Sequence, residues 1–197
     1  MSDEVRIASA RELRVSVDTP DADACVVAAP PHPQMGGSRS DARLRGVGDA
    51  LADAGVACLR FDYGPWDEGD GEQRDVHNAL AYARDHFERV GLFGYSFGAG
   101  VTLLAAADAD PDPERVAVLA PPASVGAFDT VAALDGIDCP LTVVYGERDT
   151  TVDWEPVVER ARDRGATVEA IPGDHFFVGQ VDAAASAVAS VLMARLS

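Results

Sequence analysis

Short apolar runs recur along the chain with an amphipathic stretch between each and the next. This alternation restricts the fold more than any other feature, because it is the signature of βαβ units wound about a parallel sheet. Candidate strands cover residues 12–17, 24–29, 56–61, 90–93, 115–119, 141–145 and 167–171. Two of the central runs, Cys25-Val26-Val27-Ala28-Ala29 and Leu141-Thr142-Val143-Val144-Tyr145, are apolar on both faces, as strands covered by helices on both sides should be. The run at 12–17 alternates polar with apolar residues and is expected at an edge. Helices are predicted over 40–54, 75–87, 97–108, 155–164 and 183–196. In the first, Leu44, Val47, Leu51 and Ala54 recur at spacings of three and four and Gly55 ends the pattern. In the second, Val76, Leu80, Ala83 and Phe87 share one face. No repeat, low-complexity tract or linker divides the 197 residues. Residues 1–197 are therefore expected to form one α/β domain, with a mostly parallel central sheet of about seven strands flanked by helices on both faces.

Charge narrows the partners. The 16 basic residues are all Arg, and they face 33 acidic residues, 23 of them Asp, for a net charge of −17. Such a surface repels phosphate backbones, so nucleic acid and anionic membranes are not expected partners. No apolar run approaches the roughly 20 residues needed to span a bilayer. The acidic start Met1-Ser2-Asp3-Glu4 lacks the basic and apolar regions of a signal peptide, so a soluble cytoplasmic protein is expected. Cys25, Cys58 and Cys139 have no partner Cys or His at zinc-ligand spacing and read as small buried hydrophobes, with neither disulfide nor metal implied. The acidic turn 62–72 lacks the spacing of a calcium loop and is expected to be solvated.

The chemistry concentrates in Gly94-Tyr95-Ser96-Phe97-Gly98. With 10 Ser and 18 Gly in the chain, about 0.08 occurrences of G-x-S-x-G are expected by chance. An apolar strand runs into the motif and a helical segment leaves it, which is the setting of a nucleophile elbow. Ser96 then sits at a helix N-terminus, where partial positive charge favours a developing anion. A serine nucleophile needs a base. In this architecture the order is Ser, then Asp or Glu, then His, and of His32, His77, His86 and His175 only His175 follows Ser96. The acid is expected after the strand at 141–145, where Asp149 is the first choice and Glu147, Asp153 and Asp174 are its rivals. One oxyanion donor is expected to be the N–H of Phe97, and the second to come from Pro30-Pro31-His32-Pro33-Gln34-Met35-Gly36-Gly37. Proline has no N–H, so His32 is preferred, with Gln34 and Met35 still open. Met35, Tyr95 and Trp66 are the candidate substrate contacts.

The elbow, the Gly146-Glu147-Arg148-Asp149 turn and Asp174-His175-Phe176-Phe177 together resemble the α/β-hydrolase fold. Over residues 12–195 the chain is most similar to its small, capless members related to dienelactone hydrolase, through the Pro-His-Pro-x-x-Gly-Gly loop and Leu59-Arg60-Phe61-Asp62-Tyr63. The family loop opens with a His where this chain has Pro30. The Arg-bearing turn after the strand is replaced by Gly64-Pro65-Trp66-Asp67-Glu68-Gly69, and Ser96 stands where dienelactone hydrolases have Cys. The resemblance implies a Ser96–His175–Asp149 triad, an acyl-enzyme and a small-molecule acyl substrate. Only 21 residues, 120–140, lie where lid domains of this fold are inserted, so no large cap and an open site are expected. No Gly-rich nucleotide fingerprint follows a strand, and no cofactor is implied. The expected activity is hydrolysis of a carboxylic ester or related acyl bond. The alternatives are an acyltransferase or peptidase with the same triad, or a non-catalytic binding protein on this fold.

The acidic composition also suggests adaptation to a salt-rich interior, where about 1 M salt screens self-repulsion beyond about 3 Å; a high-GC genome would equally account for the missing Lys, but less well for the excess of Asp over Glu. The expected outcome is that thermal stability and activity fall as KCl is removed. A chain that keeps its fold and activity with no salt would contradict it.

Overall fold

The computed structural model describes residues 2–7 and 11–196. Its strands are β1 (Ser2–Ile7), β2 (Leu13–Asp18), β3 (Ala24–Ala29), β4 (Ala57–Asp62), β5 (Arg89–Tyr95), β6 (Val116–Leu119), β7 (Ser124–Val125), β8 (Phe128–Asp129), β9 (Leu141–Gly146) and β10 (Thr167–Ile171). The helices are α1 (Ala42–Asp53), α2 (Asp70–His86), α3 (Phe97–Ala107), α4 (Thr130–Ala133), α5 (Glu155–Asp163) and α6 (Val181–Leu196). Eight strands form one sheet in the order β1-β2-β4-β3-β5-β6-β9-β10. The pairs β1/β2 and β2/β4 are antiparallel and the rest are parallel.

The period-2 alternation of the strands divides the core between two layers. In β3, Cys25, Val27 and Ala29 face a cluster that includes Val76, Leu80 and Ala83 of α2, Val101 and Leu104 of α3, and Val157 and Ala161 of α5. Ala24, Val26 and Ala28 face the opposite cluster, with Leu44, Val47 and Leu51 of α1 and Ala184, Val188 and Leu192 of α6. All six β3 residues are buried, which is what their doubly apolar sequence requires. Helix α1 begins where the Asp41 carboxylate accepts a 2.9 Å bond from Arg43 N–H, an N-cap that satisfies an otherwise orphaned donor. Residues 120–140 make only the β7/β8 hairpin, α4 and a short 3₁₀ turn at Leu134–Gly136, so among the described residues this stretch adds no cap domain over the C-terminal edge of the sheet.

The expected mostly parallel sheet is present, with an eighth strand, β1, in front of the seven. Three finer expectations are corrected: the edge strand, the start of α2 and the solvated acidic turn. Strand β1 occupies the edge, and β2, which was expected there, pairs on both sides. The alternation in β2 has another cause: Leu13, Val15 and Val17 enter the apolar layer, while Ser16 on the other face accepts a 3.1 Å bond from Arg39 Nε and Asp18 accepts from Arg60 at 2.7 Å. Helix α2 starts at Asp70, one turn and more before the expected 75, and the acidic turn is not simply solvated. Glu72 and Asp75 are fully buried. Asp75 accepts bonds from Arg11 Nε at 2.8 Å and Gly64 N–H at 2.9 Å, and Glu72 accepts from Asp67 N–H at 3.0 Å and Gly69 N–H at 2.8 Å. Buried carboxylates are tolerated because each is paired and hydrogen-bonded. Among the described residues, no helix is long and apolar enough to cross a membrane.

Candidate active site

Strand β5 delivers Ser96 and α3 departs from it, so the chain must reverse direction within one residue. Ser96 adopts φ 57°, ψ −123°, a region that disfavours side chains and is retained only where the surroundings enforce it. The flanking glycines explain the enforcement. A Cβ on Gly94 would lie 2.2 Å from Gly98 O, and one on Gly98 would lie 2.4 Å from both Ala29 O and Pro30 O. The turn therefore closes on itself and on the end of β3 with no room for a methyl group. Ser96 N–H donates to Leu119 O at 2.9 Å, and Ser96 O accepts from Ala99 and Gly100, which anchors the turn to β6 and α3.

The loop after β10 brings His175 to the serine. Ser96 Oγ lies 2.9 Å from His175 Nε2, and His175 Nδ1 lies 2.7 Å from Asp149 Oδ2. Only 5% of the His175 side chain and none of the Asp149 side chain is exposed, so this contact is shielded from water. The second Asp149 oxygen accepts from Thr151 N–H at 2.9 Å and Val152 N–H at 3.4 Å, which holds the carboxylate after β9. The rivals lie elsewhere: Glu147 and Asp153 are exposed, and Asp174 accepts from Val178 N–H within its own loop. The acid and histidine loops touch at Gly146, where a Cβ would lie 2.8 Å from Gly173 O and Asp174 O.

The loop after β3 contains one 3₁₀ turn, Pro33–Met35. Met35 N–H donates to His32 O at 3.0 Å and Gln34 N–H to His32 Nδ1 at 3.3 Å, so both are occupied inside the loop. Burial lowers the His32 pKa below its ordinary value, which favours the neutral ring that can accept this bond. Among the described residues, the N–H groups of His32 and Phe97 end on no partner. Tyr63, which the sequence reading passed over, donates to Pro30 O at 3.1 Å and ties this loop to the end of β4. No spacing signal marks that role, since the two residues meet only through the parallel pairing of β3 and β4.

A cavity of about 610 Å³ opens above these groups, lined by His32, Met35, Trp66, Ser96, Phe97, His175 and Phe176 among others. Met35 and Trp66 thus lie where substrate contacts were expected. Tyr95 differs: it borders the cavity but is 1% exposed, and its hydroxyl donates to His175 O at 2.9 Å. It holds the histidine loop, and its hydroxyl proton is committed there. Sequence reasoning also missed Asp41 and Arg43, paired at 2.7 Å on the cavity wall, with the Arg43 guanidinium 4.6 Å from the centre of the Tyr95 ring. Among the described residues, no three His, Cys, Asp or Glu side chains are gathered to hold a metal ion.

No family model and no curated protein matches the sequence. Solved structures do. The chain is similar to a lidless α/β serine hydrolase from Xanthomonas campestris at 26% identity and a TM-score of 0.82, covering 99% of this chain and 95% of that one. An α/β serine hydrolase homologue from Coxiella burnetii aligns at 24% identity and a TM-score of 0.83, over 96% and 97% of the two chains. A dienelactone hydrolase from Anabaena variabilis aligns at 22% identity and a TM-score of 0.76, over 100% and 99%.

The thiols offer a check on which side chain can be nucleophilic. Burial pushes Cys58 up to about 12, Cys139 up to about 11 and Cys25 well above its ordinary value. At pH 8 a thiol of pKa 11 is about one part in a thousand thiolate, the reactive form. Iodoacetamide is expected to label none of the three in the folded protein within an hour and all three in urea. Rapid labelling of any one in the folded protein would contradict this.

Proposed function

We propose that this chain, a small lidless member of the α/β-hydrolase superfamily, cleaves a carboxylic ester or related acyl bond with Ser96 as nucleophile. One observation carries the proposal: the unbroken hydrogen-bonded line from Ser96 Oγ through His175 to buried Asp149, at 2.9 and 2.7 Å. In this reading His175 Nε2 takes the Ser96 proton as Oγ attacks the carbonyl carbon. Asp149 holds Nδ1–H, which fixes the tautomer and stabilises the imidazolium as it forms.

The negative oxygen of the tetrahedral intermediate is received by the N–H groups of Phe97 and His32. Both are free to donate, and both belong to segments that Gly98 brings into contact. Preorganised donors of this kind act without reorganising during the reaction and are worth about 10²–10³ each in kcat. His175 then returns its proton to the leaving alkoxide. The same ring activates a water that releases the acid and regenerates Ser96.

Kinetics on a simple ester test this. Ser96→Ala and His175→Ala are each expected to lower kcat by about 10⁴–10⁶, and the double variant scarcely further, because the two groups act as one unit. Asp149→Asn is expected to cost less than either. A His175→Ala enzyme with near-normal turnover would overturn the assignment.

A further inference from the structure

We propose that the cavity selects esters bearing an uncharged aromatic ring, and that Trp66 is the residue that selects them. The proposal rests on the serine-hydrolase reading and adds a substrate class to it. The Trp66 ring stacks on His32 with centroids 4.6 Å apart and planes 30° apart, and it lies 5.5 Å from Phe97. Phe97 in turn lies 4.7 Å from His32. His32 and Phe97 are the two residues whose N–H groups would hold the substrate oxygen, so a group attached within a few bonds of the carbonyl meets this aromatic wall. Aromatic side chains favour offset or edge-on contact with another ring beyond the area they bury.

The turn that carries Trp66 is fixed from below with unusual thoroughness. Buried Asp75 holds Gly64 N–H, and buried Glu72 holds Asp67 and Gly69 N–H. Arg11, joined to Asp75, donates to Pro65 O at 2.5 Å. Trp66 thus sits between four anchored residues of a six-residue turn, 64–69, while Pro65, Asp67 and Glu68 point to solvent. Two buried carboxylates and a guanidinium are a costly way to hold a loop, and Trp66 is the side chain they present to the cavity.

The rest of the cavity agrees. Among the described residues, the exposed large hydrophobic side chains are Met35, Phe176 and Val178, and the first two line the same opening. This apolar mouth stands out on a chain of net charge −17. The charges on the wall, Asp41 and Arg43, offset each other through Arg43 Nη2 at 2.7 Å, and the guanidinium lies over the Tyr95 ring, so the lining carries no net charge to draw a substrate carboxylate.

The test compares substrates matched in size that differ in aromaticity: methyl 3-phenylpropanoate against methyl 3-cyclohexylpropanoate, and 2-phenylethyl acetate against 2-cyclohexylethyl acetate. The first pair places the ring on the acyl side and the second on the alcohol side. In at least one pair the aromatic ester is expected to have a kcat/KM about three- to tenfold higher. Trp66→Leu should bring that ratio close to one, and Trp66→Phe should retain most of it. Because the ratio is read within each variant, a general loss of activity or stability cancels. A ratio near one for both pairs, or one that Trp66→Leu leaves unchanged, overturns the ring proposal while hydrolysis itself leaves the Ser96 reading standing. No hydrolysis of any of the four esters, with no labelling of Ser96 by a fluorophosphonate, removes both.

Discussion

The close approach of two backbone segments, with no side chain between them, is the constraint on which the site depends. Gly98 lies against Ala29 O and Pro30 O, and Gly94 lies against Gly98 O, in each case with less room than a methyl group needs. This contact has three consequences. It forces Ser96 to a positive φ, so that its hydroxyl projects from the sheet edge at the start of α3. It brings the loop after β3 alongside Ser96, so that His32 and Phe97 lie side by side. It also places the serine at the positive end of a helix dipole. The strain of the turn is of order 1–3 kcal/mol, offset by the packing of α3, whose residues from Phe97 to Ala106 are all buried.

Around this contact each loop is held by backbone atoms more than by exposed polar side chains. Tyr95 pins His175 O, Tyr63 pins Pro30 O, and Trp154 Nε1 donates to Asp149 O at 3.0 Å. All three aromatic residues have an apolar body to bury and a polar tip that finds a partner. Gly146 lets the acid and histidine loops meet. The hairpin of β7 and β8 stands in the position where larger members of such folds carry a lid, and a Cβ on Gly126 would lie 2.3 Å from Glu68 O, so the hairpin and the Trp66 turn support each other. The cavity is thus bounded by short, cross-braced loops and remains open above.

Much of this was legible in the sequence because it rests on local patterns. Continuous apolar runs in β3 and β9 announced strands buried on both faces, and the Gly-Tyr-Ser-Phe-Gly run announced the turn. Chain order singled out His175 and position after β9 favoured Asp149 over its acidic neighbours, and the two meet Ser96 in one hydrogen-bonded line. What escaped rests on pairing between distant residues. β1 carries Asp3, Glu4 and Arg6 and buries Ile7, a pattern too weak to read before β2 is known to lie beside it. The start of α2 was missed because Glu72 and Asp75 look like solvated acids until Arg11, more than sixty residues away, is seen to cross under the turn. Tyr95, expected as a substrate contact, borders the cavity, but strand alternation turns its ring into the layer beneath His175, a role that only the fold reveals. Arg43 escaped for the same reason, since nothing near it in the chain marks the cavity wall.

The central claim is that Ser96 is an activated nucleophile, and labelling with a fluorophosphonate tests it most directly, with the modified peptide identified by mass spectrometry. The expected result, in molar KCl, is a single phosphonyl adduct on Ser96 that is lost in His175→Ala. A folded protein that remains unlabelled, or one labelled equally well without His175, would contradict the account.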